Sequence, residues 1–405
     1  MGYFKEAAKG MGWMGSLRVL SRFFTLLRIA ILARLLDPAQ FGVFGVITLI
    51  VALFEILIET GVNIVLIQEE DDIDPFINTA WVISIIRGVL IAVLVSIFAY
   101  PLSRFFSTPE ALKLLLLASL VPLIRGFINP SIVKFQKNLE FQKEFVLRFS
   151  ILIFESSIAV IGAFFTRSVV SLVLALVLSA AFEVLLSFLF CQPRPKLSLD
   201  EKKAEKIFSM GKWVALNGVF SYLVDQGDDA VVGKLLGMGS LGLYQMAYKI
   251  SNLPFTEVTD VVSRVTFPVY SRISQDKARV KRAFKKAILG IVLFVVPGAA
   301  VIFFFPETII KIVLGQNWLG AAPALRILAL FGLVRAIGGS VQPILFAFKR
   351  QDIAAKISFA KLVILAILII PLIIKFGIAG AALAVVFSSL LIQPIIWRTV
   401  RNILK

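Results

Sequence analysis

Residues 29–46 read IAILARLLDPAQFGVFGV, and 200 positions later residues 229–246 read DAVVGKLLGMGSLGLYQM. Ala30, Leu35, Leu36 and Gly42 recur there as Ala230, Leu235, Leu236 and Gly242. The same gapless offset matches Trp13, Val19 and Ser21 with Trp213, Val219 and Ser221, and Phe44 with the aromatic Tyr244. The matches fall at one helix–loop–helix joint, where chance would scatter them. They predict a chain built twice. A repeat of six helices keeps the same orientation in both copies, so the halves are expected to be related by an axis along the membrane normal. Pairs of that kind usually enclose a midplane cavity between two lobes that rock between inward and outward openings.

The membrane is required by composition. Of 405 residues, 59% are hydrophobic and 17% charged, against roughly 25% charged in soluble domains, and the mean hydropathy is +0.93. One water-soluble core cannot bury that much apolar surface, and the charges gather in short stretches between long apolar runs. A hydrocarbon core of about 30 Å takes roughly 20 residues of helix. Segmenting on that length predicts twelve spans, near 11–36, 41–66, 79–106, 111–133, 142–166 and 168–190, then near 207–236, 240–270, 284–305, 322–347, 353–375 and 378–400. Asp37-Pro38, Thr108-Pro109 and Gly377 stand at junctions. The expected architecture is an all-α polytopic membrane protein of about twelve transmembrane helices. Its two six-helix lobes, 1–192 and 207–405, are joined by a polar cytoplasmic linker at 193–206.

Basic residues orient the helices. Lys134, Lys137 and Lys143, the run from Arg194 to Lys206, the run from Lys277 to Lys286, and Lys349, Arg350 and Lys356 all fall on one set of alternate connections. Those loops are predicted to be cytoplasmic, with both termini on the same side. The acidic run Glu69, Glu70, Asp71, Asp72 and Asp74 also falls on this side, but acids count little in the rule. The net charge of +17 is therefore read as topological, and no nucleic-acid partner is expected. Residues 1–10 lead into an apolar run without a small-residue cleavage pattern, so no removable signal peptide is expected.

The chain has no histidine and one cysteine, Cys191. That excludes an internal disulfide, multi-cysteine zinc sites and histidine-based nucleophile pairs. No catalytic residue, metal or cofactor is expected.

The stretch Ile31 to Pro38, then Phe41-Gly42, Thr60-Gly61 and Leu66-Ile67-Gln68, resembles the N-terminal signature of Wzx-type oligosaccharide flippases, particularly the colanic-acid exporter branch. In the second half Asp228-Asp229, Gly233 to Gly237, Leu241 to Tyr244, Ala247-Tyr248, Pro254, and Val265 to Arg272 are similar to that family's most recognisable block. Trp318, Ala321-Ala322-Pro323 and Leu325 to Leu328 fit as well. The resemblance implies the fold of the multidrug/oligosaccharidyl-lipid/polysaccharide superfamily and a place in a prokaryotic cell membrane. It also implies polyprenyl-pyrophosphate-linked oligosaccharide as substrate, membrane lipids as surroundings, and polysaccharide polymerase and glycosyltransferases as neighbours. The family has no compact invariant motif to carry over residue by residue.

An anionic lipid carrier needs fixed positive charge in its path, and arginine stays charged when buried and grips phosphate through paired hydrogen bonds. Arg18 and Arg22 lie one turn apart on the first helix, with Arg28 within about 80° of their face. Arg87, Arg125 and Arg148 add charges to later spans, and Arg335 adds one in the second half. Arg18 and Arg148 are as readily explained by snorkelling to a helix end. Arg22, Arg28, Arg87, Arg125 and Arg335 are the substrate candidates, since intramembrane charges rarely face lipid. The competing reading is salt bridges to Glu55 and Glu59, one turn apart on the second helix, with Asn63 continuing their stripe. Those carboxylates would neutralise the first-helix arginines.

In the second half the sign reverses. Asp225, Asp228 and Asp229 share one helix face, and the offset of 200 matches Asp228 with Arg28. These aspartates, with Glu55 and Glu59, are the candidates for a cation- or proton-responsive coupling or gating group. A permanent salt bridge between the lobes is the equal alternative. Asp260 and Arg264, one turn apart, satisfy each other and receive no role.

Trp13, Trp81, Trp213, Trp318 and Trp397 fall near predicted helix ends, as in an interfacial belt. Pro122, Pro130, Pro254, Pro343 and Pro371 interrupt helices and permit bending. Two other functions compete. A drug or cation antiporter of the same superfamily needs acidic cavity groups, whereas arginines outnumber the deep acids identified in the first lobe. A membrane glycosyltransferase or polymer ligase commonly needs a large outer loop or a carboxylate or histidine centre.

Overall fold

The computed structural model describes residues 2–69, 73–348 and 350–404. Glu70, Asp71 and Asp72 of the acidic run, and Lys349, lie outside them, as do the side chains of Trp213, Asp260 and Arg264. Among the described residues all regular structure is helical. The chain forms two compact units, residues 1–220 and 221–405.

The first unit contains α1 (Gly2–Leu35), α2 (Pro38–Leu57), α3 (Val62–Gln68), α4 (Asp74–Phe105), α5 (Glu110–Ala118) and α6 (Leu120–Arg125). A 3-10 turn (Pro130–Val133), α7 (Lys134–Lys137), α8 (Phe141–Thr166), α9 (Val170–Phe190) and the start of α10 (Glu201–Arg272) follow. The second unit holds the rest of α10, then α11 (Lys277–Phe304), α12 (Pro306–Val313), a 3-10 turn (Gln316–Ala321), α13 (Ala322–Gly339), α14 (Gln342–Ala347) and α15 (Gln351–Ile403). Among the described residues, seven stretches are apolar and long enough to cross a membrane. The pair 110–125 and 130–137, bent by 72°, makes an eighth. The 34 residues of α1 and the 72 of α10 are long enough but carry the arginines and aspartates that lower their hydropathy.

Local chemistry sets the breaks. Asp37 caps α2 as expected: its carboxylate accepts from the Gln40 N–H at 2.9 Å, and the Gln40 side chain accepts from the Asp37 N–H at 3.2 Å. Pro38 occupies the first turn, where it loses no hydrogen bond. At 72 residues α10 is too long for one span at 1.5 Å per residue, and it turns at Gly237, where φ is +80°. The 53 residues of α15 turn at Gly377, where φ is +59°. Glycine alone enters this region without steric cost. Counted across these turns, the helices follow the twelve expected spans.

Three spans are interrupted where hydropathy gave no warning. The second, expected as 41–66, ends at Leu57 and restarts at Val62 after Gly61, where φ is +68°. The fourth is the 72° bent pair, and the tenth breaks between Gly339 and Gln342. Pro130 and Pro343 stand at two of these breaks, as the sequence predicts, whereas Pro254 and Pro371 continue inside α10 and α15. Trp318 corrects the belt expectation, being fully buried in the second unit. Trp81 instead turns its indole N–H to the Phe127 carbonyl at 3.1 Å.

The polar connector after α9 is fastened to the first unit. The buried Asn129 side-chain amide donates to the carbonyls of Cys191 at 3.3 Å and Pro193 at 3.2 Å, and the Ser131 hydroxyl donates to Pro193 at 2.9 Å. Asn78 accepts from the Lys196 N–H and Thr79 from the Asp200 N–H. Asp200 in turn accepts from the N–H groups of Lys202 and Lys203. The Lys203 ammonium and those N–H groups hold its carboxyl below the usual carboxylate range. Ile207 then inserts into an apolar cluster with Val65, Leu66, Ile73 and Ile77. Asn129→Ala removes the amide that bonds the Cys191 carbonyl and shares the Pro193 carbonyl with Ser131, an expected loss of about 1–3 kcal/mol. Limited trypsin digestion is expected to cut faster after Arg194 and Lys196 in this variant, and unchanged cutting would assign the docking to the other bonds.

Candidate functional site

The first unit encloses a cavity of about 310 Å³ whose charged and amide lining is Glu55, Asn63, Arg87, Arg125, Arg148 and Glu183. Its walls come from the broken second span, from α4, from the bent fourth span, and from α8 and α9 through Arg148 and Glu183.

Two Arg-Gly pairs build it. A Cβ placed on Gly88 would stand 2.5 Å from the Pro122 carbonyl oxygen, and one on Gly126 would stand 2.8 Å from that of Ser84. So α4 and the end of α6 touch backbone to backbone, which only glycine at both positions permits. Each glycine follows an arginine, and the contact brings Arg87 and Arg125 to one cavity.

Their surroundings differ. The break after α2 frees carbonyls that a continuous helix would have bonded. Arg87 takes them: its Nε donates to the Ile58 carbonyl at 2.9 Å, and one terminal nitrogen donates to the Glu55 carbonyl and the Glu59 carboxylate, both at 2.8 Å. Glu59 also accepts from the Gly61 N–H at 2.9 Å. Arg87 and Glu59 thus clamp the break from both sides. Arg125 is held loosely, 3.8 Å from Glu55 Oε1 and 3.6 Å from Glu183 Oε2. Both separations exceed hydrogen-bonding distance. Its Nε is buried and without a hydrogen-bond partner among the described residues. A buried guanidinium N–H left unsatisfied favours any acceptor that reaches it.

The other candidates lie elsewhere. Arg28 pairs with Glu155 of α8, both half-buried. Arg22 stands exposed on α1. Arg148 lies on the cavity wall and bonds Glu144 at 3.2 Å, while Gln136 donates to the same carboxylate oxygen at 2.7 Å. Glu55 and Glu59 answer Arg125 and Arg87, so the expected pairing with first-helix arginines is corrected. Asn63, on α3, no longer continues their helix.

In the second unit the turn at Gly237 lays the two arms of α10 together. The Tyr244 hydroxyl donates to Asp228 at 2.6 Å and the Gln245 amide to Asp229 at 2.8 Å. Asp228 and Asp229 are buried, whereas the Asp225 side chain is 52% exposed and lies 3.6 Å from Arg335. The three aspartates therefore have three different partners. Arg335 donates to the Tyr248 hydroxyl at 3.0 Å and lies over Phe331, as does Lys361 at 5.2 Å from the ring centre.

Glu155, Glu183 and Lys361 were missed by the sequence reading. Each is a lone charge in the middle of an apolar span, which is itself a functional signal. With Glu155 and Glu183 counted, the acids of the first unit are no longer outnumbered by its deep arginines.

Helical units of this kind define a class. The structure is similar to the inward-closed lipid II flippase MurJ, with a TM-score of 0.76 at 18% identity over 96% of this chain and 87% of that one. It is also similar to an inward-facing multidrug resistance MATE transporter of the MOP superfamily, with a TM-score of 0.71 at 14% identity over 95% of each chain. The chain has the multi-pass fold of that superfamily, as the sequence resemblance implied. Residues 31–323 match the polysaccharide biosynthesis protein family model, and the chain belongs to that family. Curated relatives include the lipopolysaccharide biosynthesis protein WzxC of Escherichia coli K12, 25% identical over 96% of this chain and 79% of that protein. The teichuronic acid biosynthesis protein TuaB of Bacillus subtilis 168 is 22% identical over 86% and 73%.

Arg87→Gln strips a charged donor from two carbonyls and a carboxylate, and is expected to cost the fold about 2 kcal/mol or more. Arg125→Gln loses only two long contacts and is expected to cost less. Thermal unfolding in one detergent checks the order, and equal losses would contradict the division between the two.

Proposed function

We propose that the protein is a flippase that carries lipid-pyrophosphate-linked oligosaccharide repeat units across a cell membrane by alternating access, without making or breaking a covalent bond. The observation that carries this reading is Arg125. It stands on a cavity wall with its side chain 40% exposed, its Nε–H buried and unsatisfied among the described residues, and two carboxylates beyond hydrogen-bonding distance. A pyrophosphate entering the cavity can take those donors in the bidentate geometry guanidinium favours. Glu55 and Glu183, 3.8 and 3.6 Å away, remain as the counter-charges of Arg125 when it leaves. That exchange keeps the charge compensated in a low-dielectric site whether the cavity is full or empty.

Family membership supports the reading, as does the fold shared with a lipid II flippase. The basic connections orient the chain with both termini in the cytoplasm of a prokaryotic inner membrane. Neighbouring polymerase and glycosyltransferases then act on the same repeat unit. Export of organic cations is the competing reading, favoured by Glu55 and Glu183 on the same wall. Arg87, Arg125 and Arg148 outnumber them there and favour an anion.

Proteoliposomes loaded with a labelled polyprenyl-pyrophosphate oligosaccharide test the proposal. Wild type is expected to move the lipid between leaflets, and Arg125→Ala at equal folded yield to slow it at least tenfold. Extrusion of organic cations with no lipid movement would replace the flippase by the antiporter.

A further inference from the structure

The first turns of α11 carry six cations in ten residues, Lys277, Arg279, Lys281, Arg282, Lys285 and Lys286, and all six are exposed. Several basic residues at other helix ends have acidic partners: Lys134 meets Asp74, Lys143 meets Glu140, Lys203 meets Asp200 and Lys206 meets Glu69. None of the six on α11 makes an ion pair among the described residues. Asp276, the nearest acid, is engaged in capping the helix through the Arg279 N–H at 2.9 Å.

The segment is also fixed in place. Val280 and Phe284 point the other way, into an apolar cluster with Tyr270, Ile344 and Ile396. The helix backbone that carries this basic face is therefore fixed in place, and only the side chains must order when they bind.

The helix continues directly into hydrocarbon. Arg282, Lys286, Leu289 and Leu293 recur at four-, three- and four-residue steps, so they share one face. Leu289 and Leu293 are exposed at 69% and 68%, with Phe304 at 70% further along. From Lys286 to Leu289 the helix rises about 4.5 Å. The cations thus stand one turn from the lipid-facing apolar band, at headgroup depth, where a soluble polyanion has poor access.

We infer that the basic face of α11, residues 277–286, is a binding site for anionic phospholipid headgroups. Uncompensated Lys and Arg at that depth attract anionic lipid, and lipid phosphates supply the counter-charge that the protein itself omits. Charge that serves orientation alone has no need of exposure on a rigid face continuous with a lipid-facing stripe. The inference is independent of what the protein transports.

The test titrates full-length protein in detergent with phosphatidylglycerol or phosphatidylcholine and reads dissociation constants by native mass spectrometry. Two double variants, Lys281→Gln with Arg282→Gln and Lys285→Gln with Lys286→Gln, keep the buried anchors intact. Wild type is expected to prefer phosphatidylglycerol, and each removed charge to weaken that binding about fivefold at low salt. The effect is expected to shrink as salt rises, with phosphatidylcholine binding and melting temperature unchanged. Equal affinity of wild type and both variants for phosphatidylglycerol overturns the site. So does tighter binding of a soluble acidic peptide or RNA oligonucleotide than of phosphatidylglycerol. A variant that fails to fold is replaced by single Lys286→Gln, for which a fivefold loss is still expected.

Discussion

A guanidinium in the interior of a membrane protein must be met by oxygen, because its desolvation is not recovered otherwise. The first unit meets this demand in three ways. Arg28 has one carboxylate on a neighbouring helix, Arg87 has two backbone carbonyls and a carboxylate, and Arg125 has two carboxylates at arm's length. The rest of the site follows from these solutions. The break in the second span is tolerable because Arg87 and Glu59 satisfy the groups it frees. The glycine contact between α4 and α6 is needed because it brings both arginines to that break.

The duplicated plan carries unequal chemistry. At the joint where the first copy places Arg28 against Glu155, the second places Asp228 against Tyr244, each satisfied within its own unit. A glycine turn in the second copy lets one helical arm supply hydroxyl and amide donors to the other. Helix order can thus be conserved between copies while the sign of the buried charge is exchanged, since one buried partner suffices in each case.

Much of the architecture was legible in the sequence because it depends on local terms. Span lengths follow from hydropathy, the start of α2 from Asp37, Pro38 and Gln40, and the turn in α15 from Gly377. The break between α13 and α14 falls beside Pro343, which the sequence marks, but the break at Gly61 was not legible, because a helix interruption inside an apolar run depends on distant side chains to satisfy it. Arg87 is such a side chain. The candidate arginines were visible as charges, but their partners were not: Arg28 finds Glu155 across 127 positions. Glu155 and Glu183 stand alone in apolar helices, so the same rule that marked the arginines also marks them. Overlooking them made the first lobe look more cationic than it is.

The central claim is that Arg125 is shared between Glu55 and Glu183 when the cavity is empty and between phosphate oxygens when it is full. Binding of a polyprenyl pyrophosphate to purified wild type, Arg125→Gln and the double variant Glu55→Gln/Glu183→Gln tests it most directly. The account predicts that the arginine variant loses affinity, while removal of both competing carboxylates raises it. If the double variant bound the pyrophosphate more weakly than wild type, the carboxylates would belong to the binding site itself and the exchange would be contradicted.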